Sequence, residues 1–202
     1  MSKVSRADSH SQGQRKVIIA VMVINGSMFF VEFLAGIISE SAALIADAMD
    51  MLADALVYGI SLYAIGRAAQ IKLKAAQISG MFQILLGAGV FIEVIRRFIL
   101  GSEPESLLMV AVGLIALAAN VSCLLLIAKY RAGEVHMRAS WIFSRNDVIA
   151  NIGVILAGVL VFSFGTPLPD LVIGFVISII VMKGGASIVR DAAAEKKHAA
   201  RV

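Results

Sequence analysis

Long apolar runs follow one another along almost the entire chain, and they restrict the fold more than any other feature. A run of roughly 18 or more apolar residues suits a bilayer-crossing helix, and such runs lie near 16–38, 42–66, 77–100, 107–129, 140–164 and 170–190. In hydrocarbon no water bonds the backbone, so each run must close its hydrogen bonds within itself as a helix. Composition agrees, since 59% of the 202 residues are hydrophobic and 16% charged, unlike the balance of a soluble domain. The expected fold is an all-α integral membrane protein with six transmembrane helices. Residues 1–15 would form a cytoplasmic tail, 16–190 the membrane domain and 191–202 a second short cytoplasmic tail.

Lysine and arginine set the orientation, because loops on the cytoplasmic side carry their excess. With the start inside, Lys3, Arg6, Arg15, Lys16, Arg67, Lys72, Lys74, Lys129, Arg131, Arg138, Arg190, Lys196, Lys197 and Arg201 all fall on the cytoplasmic side. Only Arg96 and Arg97 reach the opposite end, where Glu103 and Glu105 follow. Both termini are therefore expected in the cytoplasm, and the net charge of +4 reads as this bias rather than as nucleic-acid binding. The polar start MSKVSRADSHSQGQR shows no clear small-residue cleavage site and leads into a run too long for a signal peptide. A multi-pass protein of a bacterial inner (plasma) membrane is expected. The single cysteine, Cys123, allows neither an intramolecular disulfide nor a multi-cysteine metal site.

The second run breaks the apolar pattern. In ALIADAMDMLADAL, residues 43–56, Asp47, Asp50 and Asp54 recur at offsets of three and four, which puts them along one helical face. An aspartate at a helix centre costs roughly 2.5–3.5 kcal/mol to insert. Asp50 and Asp54 lie ~12–18 Å from the outer end of their helix at 1.5 Å per residue, near mid-membrane, whereas Asp47 is shallower and expected near the interface. Acids at such depth usually mark ion or proton pathways; pairing with Arg145 or Lys183, themselves inside apolar runs, is the plain alternative.

The fifth run holds a second polar focus in FSRNDVIANIGVILAG, where Asp147 and Asn151 are four apart and Ser144 and Asn146 lie on adjacent faces. Carboxylates on facing helices repel unless protonated or bridged, and a divalent cation turns that repulsion into binding. The same groups can hold protons once the metal leaves, which is the chemical requirement for metal/proton exchange.

These residues resemble a known family. Ser41, Leu44, Asp47, Asp50 and Asp54 follow the second-helix pattern S-x-x-L-x-x-D-A-x-D-x-x-x-D of the cation diffusion facilitators. The stretch from Asp147 through Asn151 to Gly158 is similar to that family's fifth helix, and Asn25 and Glu32 stand in a similar first helix. The resemblance implies export of a divalent transition metal, usually against protons, by alternating access around a site between helices two and five. Carried over by position, the ligands would be Asp50, Asp54 and Asp147.

Two departures follow from the comparison. The family's fourth ligand falls at Phe143, which coordinates nothing, so the fourth position passes to Asn151, Asp47, Asn146 or water. An all-oxygen set suits harder ions such as Mn²⁺, with Fe²⁺ between them and Zn²⁺. The cytoplasmic domain that most members carry after the sixth helix is not in this chain, so a homodimer would have to form through membrane helices. Gly80, Gly87, Gly89, Gly184 and Gly185 would allow close approach there. The expected partners are the metal ion, protons and the lipid bilayer, with no prosthetic group and no nucleic acid. The competing readings are a small proton-coupled organic-cation exporter and a non-transporting subunit of a larger membrane complex. No nucleophile–base pair or phosphate loop points to an enzyme.

Overall fold

The computed structural model describes residues 3–64, 69–129 and 135–199, and every regular element among them is an α-helix. In chain order these are α1 (Lys3–Ile38), α2 (Ala42–Ala64), α3 (Ala69–Leu100), α4 (Ser106–Ala128), α5 (Val135–Phe164) and α6 (Leu168–Ala199). The helices coincide with the six apolar runs, and several extend beyond them. Helix α1 begins at Lys3 and α6 continues to Ala199, inside segments expected as tails. The Ala- and Glu-containing end of α6 holds no glycine or proline after Gly185, and such residues propagate a helix well.

Among the described residues, five helices are long and apolar enough to cross a membrane: the segments Gln12–Ile38, Leu73–Leu100, Ser106–Ala128, Ser144–Phe164 and Leu168–Ala194. Helix α2 is not among them, since its three aspartates dilute its apolar character. It is the inner helix of the bundle. It packs against α1, α3, α5 and α6, and residues 41–48 are buried without a break. Protein rather than lipid surrounds its acids, which is what permits polar groups at such depth. The lipid-facing side is supplied by the other helices, where Phe30, Leu34, Leu85, Phe98, Leu107 and Phe162 stand exposed.

The turns at one end of the bundle are held together by backbone bonds. Helices α3 and α5 end on Gly101 (φ 87°) and Gly165 (φ 61°), whose N–H groups donate to Arg97 O and Val161 O at 2.9 Å each. Glycine supplies this left-handed cap without steric cost. Glu105 N donates to Ser39 O at 2.8 Å, so the α3–α4 turn lies against the α1–α2 turn. Two prolines, Pro167 and Pro169, stand where the chain turns from α5 into α6. Pro167 precedes α6, and Pro169 is in its first turn, where its missing N–H has no helical partner to lose.

The glycines expected at a dimer contact are used mostly within the chain. A Cβ on Gly185 would lie 2.6 Å from Gly80 O, one on Gly80 2.7 Å from Gly185 O, and one on Gly87 2.7 Å from Met182 Cγ. Gly184 faces the Gln83 amide, and only Gly89 of the five has open space beside it. Gly80, Gly87 and Gly185 thus let α3 and α6 touch at backbone distance, and are not free for a second copy. Gly185→Ala should cost about 1–3 kcal/mol through overpacking, because a backbone carbonyl cannot swing aside. Gly89→Ala should be neutral or gain up to ~1 kcal/mol in helix propensity. Thermal unfolding in detergent checks the contrast; equal midpoints for both variants would refute this packing.

Candidate functional site

The α2 acids meet α5 and α1 inside the bundle. Asp47 and Asp54 are almost fully buried, as are Asp147 and Asn151 of α5 and Glu32 of α1; Asp50 is only partly buried. Asn151 Nδ2 donates to Asp47 Oδ2 at 2.8 Å and to the Asp147 backbone oxygen at 3.0 Å. This amide ties α5 to α2. Asp47 is 1% exposed, with α1, α5 and α6 packed against α2. Asn146, one position from Asp147, is half-buried and has no hydrogen bond to the α2 acids.

The charge of the site is one-sided. Asp147 lies within electrostatic reach of Asp54, Asp50, Asp47 and Glu32, and Glu32 faces Asp47 directly. No cation balances them: among the described residues the ion pairs are those of Glu93 with Arg96 and Arg97, at the end of α3. Arg145 is exposed and stacks on the Trp141 ring with its Cζ 5.6 Å from the centroid. Lys183 is exposed as well. The alternative in which Arg145 and Lys183 neutralise the aspartates is therefore not the arrangement found.

Many polar atoms of the site are buried without a hydrogen-bond partner. They include Asp47 Oδ1, Asp54 Oδ2, Asp147 Oδ2, both Glu32 carboxyl oxygens and Asn151 Oδ1. The Tyr58 hydroxyl lies against Ser144 and Asp54 but falls short of full hydrogen-bond geometry with either. Orphaned buried acceptors are costly and call for an explanation, and a bound cation or proton would satisfy them. Among the described residues, no three His, Cys, Asp or Glu side chains converge closely enough to hold a metal ion. The side chains of Phe143, His10, His136 and His198 lie outside the described residues.

Sequence reasoning passed over Asp170. This fully buried acid in the first turn of α6 receives Ser41 Oγ–H at 2.6 Å, Ala42 N–H at 2.7 Å and Ala43 N–H at 3.0 Å. Ser41 Oγ in turn accepts from Leu44 N at 3.0 Å, as an N-cap does. One carboxylate thus closes the start of α2 and docks it on α6. A Cβ on Gly174 would meet the Ala42 carbonyl carbon at 2.9 Å, so the helices touch here as well. The available signal was an acid following a proline at a helix start, a position favoured by the helix dipole; its partner across the bundle was not readable.

Comparison with known families matches residues 18–195 to the cation efflux transmembrane domain. The chain belongs to this cation efflux family. It is similar to the cadmium, cobalt and zinc/H(+)-K(+) antiporter of Bacillus velezensis, 27% identical over 199 residues that cover 91% of this chain and 63% of that protein. The protein of the same name in Bacillus subtilis is 25% identical over 199 residues, 91% of this chain and 64% of the relative. Zinc transporter ZitB of Pectobacterium atrosepticum is 26% identical over 201 residues, 91% and 62%. The chain spans a little under two thirds of the length of these relatives. A cation efflux transmembrane domain with five long apolar helices, shared with bacterial transporters, is a multi-pass integral protein of the bacterial inner membrane. The resemblance read from the second and fifth helices is thus to the right family.

Proposed function

We propose that this cation efflux domain exports a divalent transition-metal cation from the cytoplasm in exchange for protons, by alternating access around Asp50, Asp54 and Asp147. The observation that carries the reading is the buried, uncompensated set of carboxylates shared by α2 and α5, with oxygen atoms that have no partner. Asn151 and Asp47, already bonded to each other, stand beside the three ligands and supply the remaining oxygens, with Asn146 the more distant candidate. Six spans with both termini in the cytoplasm complete the proposal: α2 crosses inside the bundle although its own composition would not mark it as a span.

The relatives are named for zinc, cadmium and cobalt, and these replace manganese and iron as the proposed cargo. Zinc accepts carboxylate oxygens at ~2.0–2.2 Å, so an oxygen-rich site does not exclude it. Since the relatives are transporters by name, the chemistry proposed is transport, not catalysis.

Everted membrane vesicles test direction and coupling together. With the lumen acidified, Zn²⁺, Cd²⁺ or Co²⁺ added outside should dissipate the proton gradient, because the cytoplasmic face is then outermost. Right-side-out vesicles should not respond to metal added outside. A protein that inserts normally yet moves no protons with any of these ions would overturn the proposal.

A further inference from the structure

At the end of the bundle that holds the α1–α2 and α3–α4 turns, a cavity of about 670 Å³ opens between the ends of α1 and α3. Its wall joins two chemistries. Phe33, Ile37 and Leu100 give it an apolar side, and Ile37 and Leu100 are themselves 51% and 71% exposed. Arg96, Arg97, Glu93 and Glu40 give it a charged side. Glu93 Oε1 accepts from Arg96 Nη2 at 2.7 Å and from Arg97 Nε at 2.8 Å, and Oε2 accepts from Arg96 Nε at 2.7 Å.

That network leaves donors over. Arg97 is 6% exposed, and its Nη1 is buried without a partner, as is Ser102 Oγ in the same wall. A guanidinium N–H left unpaired in this way is among the more expensive buried groups. The apolar span of α3 ends at Leu100, three residues or ~4.5 Å past Arg97, so these donors lie at the level of lipid headgroups. Two arginines against Glu93 and Glu40 make the wall neutral in sum and locally dipolar. Glu40 is exposed, with Oε2 anchored by Glu103 N at 3.2 Å.

We infer that this cavity binds one zwitterionic phospholipid whose headgroup carries an ammonium, of the phosphatidylethanolamine type. The phosphate accepts hydrogen bonds from Arg97 Nη1 and Ser102 Oγ, the ammonium pairs with Glu40, and an acyl chain lies on Ile37 and Leu100. Neither donor is exposed on the wall itself, so the phosphate engages them through a rotation of the two side chains. An anionic lipid would match the arginine but would leave Glu40 facing a negative or neutral headgroup. A free phosphate would not use the apolar side.

Native mass spectrometry of the full chain in detergent, titrated separately with phosphatidylethanolamine, phosphatidylglycerol and inorganic phosphate, decides the matter. Wild type should retain one phosphatidylethanolamine. Arg97→Gln should lower retention by roughly tenfold or more, given the worth of hydrogen bonds to a charged group, and Ser102→Ala and Glu40→Gln should lower it severalfold. If Arg97→Gln does not fold, Ser102→Ala and Glu40→Gln carry the test. Undiminished retention in the folded variants, a preference for phosphatidylglycerol, or phosphate binding without lipid would each overturn the inference.

Discussion

Replacing Asp54 or Asp147 by asparagine should abolish metal-driven proton movement while the protein still inserts and folds. Each substitution preserves size and removes one negative charge from a buried set that no lysine or arginine among the described residues balances. Breaking a buried charge pairing by removing one partner costs about 3–5 kcal/mol, which is roughly a 10²- to 4 × 10³-fold loss in cation affinity. Insertion should not suffer, because a central aspartate is itself costly to insert at about 2.5–3.5 kcal/mol. Asp50→Asn should be as severe if Asp50, the most accessible of the three, turns into the site when the ion is bound. Wild-type rates of metal-driven proton movement in Asp54→Asn and Asp147→Asn vesicles would sink the assignment of these residues as ligands.

The same carboxylates give the pH dependence its sign. Metal binds the deprotonated form, so protons on the loading side compete with it and binding releases protons. Transport should weaken as the cytoplasmic face is acidified and strengthen as the opposite face is. Metal flux measured across a series of fixed pH gradients checks this; a flux that rises with acid on the loading side would contradict a shared site.

The second large effect is expected at Asp170. Asp170→Ala strands the Ser41 hydroxyl and the Ala42 and Ala43 N–H groups, all buried, at about 1–3 kcal/mol for each orphaned donor. Even with partial relaxation, the thermal midpoint should fall by roughly 10 °C. Asp170→Asn keeps one acceptor and should recover part of the loss. Flux should fall with stability, because the start of α2 is what sets the positions of Asp47, Asp50 and Asp54 along the bundle. A midpoint within about 1 °C of wild type in Asp170→Ala would show that the clamp contributes nothing.

Small residues in apolar helices signal close approach, but Gly80 and Gly185 could equally have met a second copy or a helix of the same chain. Spacing alone does not distinguish these, since both partners present the same backbone.

What the sequence by itself determined is the set of helices and the presence of acids within them. Apolar runs of membrane length leave the backbone no other way to bond, and the offsets among Asp47, Asp50 and Asp54 follow from the helical repeat alone. What only the tertiary structure decided is who surrounds those acids. Helix α2 sits among α1, α3, α5 and α6, so Asp47 is interior, Glu32 faces it, Asn151 holds it, and Arg145 turns away to Trp141. The Asp170 clamp likewise joins residues 128 and 129 positions apart from their partners. Such contacts depend on how helices pack side by side, and a one-dimensional period carries no record of which face meets which neighbour.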